Sequence, residues 1–401
     1  MNILVCNVGS TSLKFKLYEM PAQTALASGK IERVGDMVNA IFHYENSNSR
    51  FSVTKEKQSI PSYTDGINLF LEYLTGAKSG VIDSIEQLDG IGFKTVLAKG
   101  YYGVHLLDEA VLTGMDEYLN IAPVHNSCYL EAINQCRSLL PKTPLVGVFE
   151  TEFHTTVKLD RKLYGVPYEW YEQYGIQRFG YHGASHRYIA ESITQRCESS
   201  RFKLISCHLG GSCSICAIEN GESVDTSFGF SLQTGVMHAN RVGDMDAYII
   251  PFLLNQGMSL DEILKGLDQD GGMLGISGVS NDVRFISEQA ATNERAALSL
   301  NMFCNDVLRY IGSYYVELGG LDHLAFTGGI GENSIQIRES ICRKLAILGV
   351  KLDDNANRSI PSNGVISKSD SRVTVHVIPA DEESVVARKS YQCLQENGLS
   401  G

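Results

Sequence analysis

Residues 3–17 read ILVCNVGSTSLKFKL, and two alternating apolar runs in them flank a short turn of glycine, serine and threonine. Alternation with a period of two predicts a β-hairpin. Main-chain N–H groups in such a turn converge on one point and favour an anion such as phosphate. The hydroxyls of Ser10 and Ser12 add donors, and Lys14 adds a positive charge. The hairpin is therefore either a plain turn or one part of a phosphate-binding site.

A partial repeat of this hairpin opens the second half of the chain. The segment LVCNVGSTSLKFKLYEM (4–20) aligns with ISCHLGGSCSICAIENG (205–221). A chain of 401 residues also exceeds one ordinary core, and strand-like runs alternate with helical patterns throughout. We therefore predict an α/β protein of two duplicated domains, residues 1–150 and 151–383, with a ligand cleft between them. By symmetry, the last helix (about 384–401) is expected to return to the first domain.

Composition excludes several classes of protein. The net charge is −12 and no Lys/Arg run is present, which argues against general binding of nucleic acid or anionic membranes. No run of 18 apolar residues and no signal peptide is recognised. The ten scattered cysteines are typical of reduced thiols in a cytoplasmic protein. Cys213 and Cys216 have redox or zinc spacing, but in an alternating strand they would face opposite sides, so we interpret both as packing residues.

A second glycine-rich stretch, FTGGIGENS (326–334), follows a predicted strand and leads into a predicted helix. A strand, a glycine loop and a helix N-terminus suit close approach of a nucleotide or phosphate. The spacing matches neither a Walker A loop nor a Rossmann fingerprint. A plain strand-to-helix turn is the alternative.

Several polar residues stand where catalytic groups are expected. Glu150 directly follows a buried strand, Arg241 lies in an aperiodic polar segment, and His182 stands between an aromatic residue and a glycine in FGYHG. His186 is expected on the following helix in a structural role. The run DEE (381–383) opens the last helix, either to complement its dipole or to hold Mg²⁺ beside a phosphate.

Together these stretches closely resemble the acetate kinase family (acetate, propionate and butyrate kinases) of the sugar kinase, heat-shock protein 70 and actin superfamily. The matching motifs run in order from NVGSTSLK through APVHN, FETEFH, RFGYHGASH, DTSFGF, NRVGD and GGIGENS to IPADEE. The resemblance implies two actin-like (ribonuclease H-like) domains, a homodimer, and a cytoplasmic enzyme. It implies reversible phosphoryl transfer from ATP to acetate or a related small acid, giving an acyl phosphate and ADP.

The resemblance also implies roles for individual residues. Mg²⁺ (or Mn²⁺) would be bound by Asn7 and Glu382, and the phosphates would lie along Ser10, Ser12 and Lys14. Catalysis would involve Lys94, Glu150, His182 and Arg241. The nucleotide would be held by His208, Gly210, Gly211, Asp282, Arg284, Gly329, Gly331 and Asn333. The acyl group would be surrounded by Val96, Val124, Tyr181 and Leu232. A carboxylate is already nucleophilic at neutral pH, so no strong general base is needed.

The departures from the family concentrate on the acceptor side. Phe93 and Lys94 replace a His-Arg pair, which keeps a charge but loses the bidentate fork. AKG (98–100) replaces HGG, Glu150 replaces an aspartate, and Gly211 replaces an asparagine. Tyr181 and Leu232 replace phenylalanine and proline, which predicts an acyl pocket altered in shape and carrying one more hydroxyl.

We therefore expect a divergent carboxylate kinase whose best acceptor is acetate or a larger or hydroxylated acid. A nucleotide-binding paralogue without catalysis is one alternative, and transfer from another donor such as pyrophosphate is a second. The helical segment SLNMFCNDVLRYIGSYYVELGG (299–320) carries more apolar surface than one face needs, which agrees with a homodimer.

Overall fold

A computed structural model describes residues 1–9, 11–119, 121, 123–197, 201–359 and 363–399, with only the main chain for 123–125. The chain divides into two compact units. Unit 1 comprises Met1–Glu152 and Asp381–Gly401, and unit 2 comprises Phe153–Ala380. No described helix combines the length and the apolarity that crossing a membrane requires.

Unit 1 contains one sheet and four helices among its described residues. Its strands are β1 (Asn2–Gly9), β2 (Ser12–Glu19), β3 (Thr24–Glu32), β4 (Ala40–Asn46), β5 (Phe51–Gln58), β6 (Gly90–Thr95), β7 (Val104–Leu106) and β8 (Leu145–Phe149). Its helices are α1 (Tyr63–Thr75), α2 (Glu109–Glu117), α3 (Pro123–Leu139) and the last helix of the chain, α15 (Glu382–Glu396).

Unit 2 contains a second sheet. Its strands are β9 (Lys203–Leu209), β10 (Cys213–Glu219), β11 (Glu222–Thr226), β12 (His323–Thr327), β13 (Gly364–Val365) and β14 (Thr374–Val377). Its helices are α4 (Leu159–Lys162), α5 (Tyr168–Tyr174), α6 (Gly183–Arg196), α7 (Ile249–Asn255), α8 (Leu260–Asp268), α9 (Gly272–Ser277), α10 (Val283–Gln289), α11 (Glu294–Glu317), α12 (Gly328–Asn333), α13 (Ile335–Lys344) and α14 (Asp354–Ser359). Short 3₁₀ turns occur at Ile85–Gln87, Glu152–Thr156 and Leu345–Leu348.

The two sheets share one strand arrangement. Their orders are β5-β4-β3-β2-β1-β6-β8-β7 and β11-β10-β9-β12-β14-β13. In each, the first strand of the unit pairs antiparallel with its hairpin partner and parallel with a later strand, β6 or β12. A further parallel strand, β8 or β14, follows. The duplication predicted from the repeated hairpin is thus present in the topology, and the strands of the α/β interpretation are confirmed.

Helix α11 buries most of its large apolar side chains in the core of unit 2. Phe303, Val307 and Ile311 are fully buried in the large core beside β9, β12 and β14. Leu298 and Val316 are the exposed large apolar side chains on this helix. The surplus apolar surface inferred from the sequence is therefore largely used by the fold of the unit itself.

The cysteine interpretation is confirmed. Cys213 and Cys216 on β10 are both fully buried, and they belong to different apolar clusters. Cys213 lies in the cluster with Phe303, whereas Cys216 packs with Phe153 and Ile189. They therefore face opposite sides of the sheet, as the alternation predicts. All ten cysteines are free thiols.

Candidate active site

The opening hairpin carries an amide opposite an ammonium group. Asn7 on β1 pairs directly with Lys14 on β2, so both side chains lie on one face. The Tyr129 hydroxyl donates to Asn7 Oδ1 at 3.2 Å and accepts from the main-chain N–H of Val8 at 3.2 Å. Tyr129, a residue that the sequence interpretation did not single out, thus anchors the Asn7 amide. Ser12 begins β2, and Ser10 lies outside the described residues.

Lys94 joins two carboxylates that are distant in sequence. It lies near the carboxyl end of β6, Glu150 directly follows β8, and Glu382 opens α15. Lys94 Nζ lies 2.9 Å from Glu150 Oε1 and also donates to Glu382 Oε2. The three side chains are only 17%, 9% and 16% exposed. Burial lowers the pKa of Lys94, but the two carboxylates outweigh that effect and raise it well above its ordinary value.

Two neighbouring residues of the acidic run at the start of α15 make different contacts. Asp381 caps the helix, because its Oδ1 accepts from Ser384 N at 3.1 Å, and it lies 3.8 Å from Lys16 Nζ. Glu382, the next residue, faces Lys94 instead. Asp381 thus caps the helix, whereas the assignment of Glu382 to Mg²⁺ stays a prediction.

The donor chemistry near Lys94 suits a hard cation. Asn7 offers an amide oxygen and Glu382 a carboxylate, and Mg²⁺ usually takes only one or two protein oxygens beside phosphates and water. No three His, Cys, Asp or Glu side chains in the described parts of the chain converge on a metal position. A cation at Glu382 would share that carboxylate with Lys94.

The hairpin of unit 2 carries an imidazole opposite a hydroxyl. His208 on β9 pairs with Ser214 on β10. His182, at the start of α6, stacks on His208 with ring centroids 4.0 Å apart, and its Nδ1 lies 2.8 Å from Ser214 Oγ. His182 has φ of 57°, a left-handed conformation that costs a non-glycine residue free energy and recurs at functional sites. His208 Nδ1 lies 2.8 Å from Ser185 Oγ.

Arg241 is held by a main-chain carbonyl. Its Nη1 donates to Leu232 O at 2.7 Å. Burial lowers the pKa of its guanidinium, which nevertheless stays charged, since arginine does not lose its proton in proteins. The neighbouring His238 is fully buried, and its Nδ1 accepts from Cys213 N at 2.9 Å. That contact ties the Arg241 segment to β10.

The predicted acyl-pocket residues belong to both units. Val96 is buried just after β6 in unit 1, and the side chain of Val124 lies outside the described residues. In unit 2, Tyr181 is 1% exposed and its hydroxyl donates to Phe230 O at 2.7 Å. The hydroxyl that the sequence predicts at this position is therefore present, and its proton is donated to a main-chain oxygen.

The stretch FTGGIGENS is not an open glycine loop. Residues Gly328–Asn333 form the short helix α12 directly after β12, and Gly328 adopts a φ of +76° that favours glycine. Glu332 Oε1 accepts from Gly328 N at 3.0 Å. Asn333 Nδ2 donates to Gly329 O at 2.9 Å. The turn to the helix is thus tighter than the sequence predicts.

A cavity of about 1000 Å³ gathers most of the predicted nucleotide residues of unit 2. Its lining includes Gly210, Gly211, Asp282, Arg284, Gly329 and Asn333. Asp282 caps α10 and pairs with the exposed guanidinium of Arg284. A side chain built at Gly211 or Gly329 would meet no atom within 4 Å at its Cβ. His208 and Gly331 do not line this cavity.

Comparison with known proteins places the chain in a family. The sequence profile of the Acetokinase family matches residues 2–388. The chain belongs to the acetokinase family. An acetate kinase from Treponema denticola is 42% identical over 393 residues, which cover 97% of this chain and 98% of that relative.

Solved structures agree with this assignment. A Porphyromonas gingivalis acetate kinase has a TM-score of 0.86 at 34% identity, covering 98% of this chain and 99% of that chain. A propionate kinase from Francisella tularensis subsp. tularensis has a TM-score of 0.88 at 32% identity, with the same two coverages of 98% and 99%. The family resemblance and the α/β, actin-like fold class predicted from the motifs are confirmed.

Proposed function

We propose that this acetokinase-family chain is an ATP-dependent kinase of a short-chain carboxylate, acetate or a related small acid, and that its two units are the two actin-like domains. The observation that carries the proposal is the cavity of unit 2, where six of the residues assigned to nucleotide and phosphate lie together. The names of the relatives, acetate kinase and propionate kinase, support an acceptor of this class.

In the proposed reaction, a carboxylate oxygen of the acid attacks the γ-phosphorus of ATP. The bond from that phosphorus to the bridging oxygen breaks, and ADP leaves with the electron pair, so no proton changes hands. Transfer of this kind depends on positioning and on stabilising charge on the phosphoryl oxygens. His182 and Arg241 are the donors that we assign to those oxygens. Lys94 and Glu150 are assigned to the acceptor side, and a bound Mg²⁺ would neutralise phosphate charge.

The acceptor we favour is a small unsubstituted acid. Tyr181 replaces an expected phenylalanine, yet its proton is donated to Phe230 O, so this residue adds no donor for a hydroxylated acid. A preference for a larger acid would have to come from a change of pocket shape, to which we assign Leu232. The test must therefore compare chain length separately from hydroxylation.

A hydroxylamine-trapping assay would test the proposal, because hydroxylamine converts acyl phosphates into hydroxamates that can be measured. The full chain would be given ATP or pyrophosphate, with Mg²⁺, with Mn²⁺ or with chelator, and with acetate, propionate, butyrate or glycolate. We expect hydroxamate with ATP and a divalent cation, and fastest with acetate or propionate. ATP binding without hydroxamate from any acid would overturn the proposal in favour of a non-catalytic paralogue. Product from pyrophosphate alone would reassign the donor.

We also propose a cytoplasmic homodimer. The ten free thiols support the cytoplasmic compartment.

For the dimer, large apolar side chains are exposed on two consecutive helices, α7 and α8, which pack against each other: Tyr248, Ile249, Phe252, Leu254, Leu260 and Leu264. A patch of this kind marks an interaction surface in soluble proteins. Light scattering of the purified chain should give twice the mass of one chain, 44.1 kDa. Phe252→Asp should lower the measured mass toward that of a single chain.

A further inference from the structure

His182 is the first member of a chain of side chains that leads into the core of unit 2. Its Nδ1 lies 2.8 Å from Ser214 Oγ, which lies 2.8 Å from His186 Nε2. His186 Nδ1 in turn lies 2.9 Å from Ser206 Oγ. Ser214, His186 and Ser206 are each 0% exposed. All three contacts have hydrogen-bond distances, and the polar atoms of the three buried residues need such partners because water does not reach them.

Counting hydrogens limits how this chain can be protonated. A serine hydroxyl has one hydrogen, so Ser214 can donate to only one of its two histidine partners. The described contacts of its hydroxyl are these two nitrogens, so its hydrogen goes to one of them and its oxygen accepts from the other. Exactly one of the two facing nitrogens, His182 Nδ1 or His186 Nε2, therefore carries a proton. His186 is itself neutral, because burial, and then the nearby His154 and His208, lower its pKa well below the ordinary value.

When His182 is charged, both its nitrogens carry protons, so the chain can run in only one direction. His182 donates to Ser214, Ser214 donates to His186 Nε2, and His186 donates from Nδ1 to Ser206. When His182 is neutral and its proton is on Nε2, all three hydrogen bonds reverse, and His186 then carries its proton on Nε2. Between the two states one proton is gained or lost in total.

We propose that Ser214 and His186 are positioning residues that couple the charge of His182 to the tautomer of His186. The choice of the Nε2 proton for neutral His182 rests on the proposed function, since a bare Nε2 would repel the phosphoryl oxygens that this residue is assigned to meet. His182 then keeps a proton on Nε2, the nitrogen that does not face Ser214, in both charge states.

The surroundings of His182 bear on its titration. His208 on β9 is stacked against it at 4.0 Å, and His186 on its own helix lies 6.4 Å away between ring centroids. His154 lies 5.8 Å behind His186, and the neutral ring of Phe228 meets His182 edge-on at 5.2 Å. The titratable groups that face His182 in these contacts are thus other imidazoles, from β9 and α6.

The test is NMR of the full chain labelled with ¹⁵N-histidine, without nucleotide, from about pH 5 to about pH 8.5. Long-range ¹H–¹⁵N correlations distinguish the two tautomers of each imidazole, and His186→Asn and His182→Asn assign the signals. We expect His186 to stay neutral and to change from the Nδ1–H to the Nε2–H form, at the midpoint at which His182 loses its charge. A single His186 tautomer across the whole range in the unsubstituted chain would overturn the proposal.

Three variants separate coupling from folding. In Ser214→Ala, His186 should keep one tautomer while His182 still titrates, whereas Ser214→Thr, which retains a hydroxyl, should restore the coupling. Ser185→Ala removes the equivalent hydroxyl from His208 and should leave the coupling intact. Persistence of coupling in Ser214→Ala would contradict the proposal.

A kinetic measurement adds a second readout. If the kinase assignment holds, Ser214→Ala should lower kcat about tenfold and move its pH profile, with KM little changed. The tautomer change is measured without nucleotide and without turnover, so finding it in a chain that lacks kinase activity would overturn the proposed function alone.

Discussion

The phenol oxygen of Tyr181 lies 2.7 Å from the main-chain oxygen of Phe230 and donates its one proton to it. Tyr181→Phe should therefore cost about 1 kcal/mol of stability, the net worth of one hydrogen bond. The order of preference among acids should not change. Thermal unfolding and kcat/KM for acetate and glycolate would measure the two effects. A selective loss of glycolate turnover would show that the Tyr181 hydroxyl contacts the substrate.

Lys94 holds Glu150 and Glu382 together, and its removal should be costly. Lys94→Met leaves two nearly buried carboxylates without their cation, which we expect to destabilise the fold by about 3–5 kcal/mol. Urea unfolding would measure the change. Lys99→Met is the matched control, because Lys99 and Glu117 form an exposed pair whose loss should cost less than about 1 kcal/mol. Equal effects of the two variants would refute a structural role for Lys94.

Gly211 leaves room for the asparagine that the family resemblance assigns to this position. A Cβ at this position meets no atom within 4 Å, and no positive φ opposes the substitution. Gly211→Asn should therefore fold with unchanged stability and add a donor at the cavity that we propose binds the nucleotide. We expect tighter ATP binding by about 1 kcal/mol, roughly fivefold in Kd. Titration calorimetry would measure it, with Gly211→Ala as the control that adds only bulk. Weaker binding by both variants would contradict this.

Tyr129 should set the position of Asn7. Tyr129→Phe removes the donor to Asn7 Oδ1 and leaves Val8 N–H without its hydroxyl partner, which should cost about 1–3 kcal/mol. If Asn7 serves the metal, half-maximal activation should also need several-fold more Mg²⁺. Tyr63→Phe is the control, because Tyr63 donates to Gly9 O at the turn of the same hairpin. A similar metal requirement in both variants would argue against this anchoring.

His238 should make the fold sensitive to acid. Burial, and then Arg241, lower the pKa of His238 to about 3, against about 6.5 in an unfolded chain. Between these values the unfolded chain binds more protons, so stability falls as the pH drops below about 6.5, by about 1.4 kcal/mol per pH unit. Unfolding of His238→Asn should show a slope shallower by about that amount. An unchanged slope would mean that His238 does not titrate on unfolding.

Local pattern was enough to predict much of the fold. The hairpin β1–β2 and its counterpart β9–β10 follow from period-two alternation around small turn residues, and topology confirms the duplication that their similarity suggests. The GGIGEN segment was not predicted correctly: it forms a short helix, although glycines normally weaken helices. There the side chain of Glu332 and the left-handed Gly328 form a helical turn that propensity alone does not predict.

The site was predictable in its residue types but not in its bonds. The sequence motifs identified Lys94, Glu150 and Glu382 separately. Lys94 and Glu382 are 288 residues apart, and only the fold of unit 1 brings them into contact. The direction of the Tyr181 hydroxyl depends on where Phe230 O lies, which no local pattern encodes. His186 was interpreted as structural, and its burial agrees with that, but the bond to Ser214 connects it to His182.

Asn7 on β1 and His208 on β9 occupy corresponding positions in the two hairpins but face different partners: the amide faces an ammonium group, and the imidazole faces a hydroxyl. Neither pair contains what the other supplies. The two units are therefore alike in strand order but not interchangeable in chemistry, and an assembly of two copies of either unit would lack one of the two pairs.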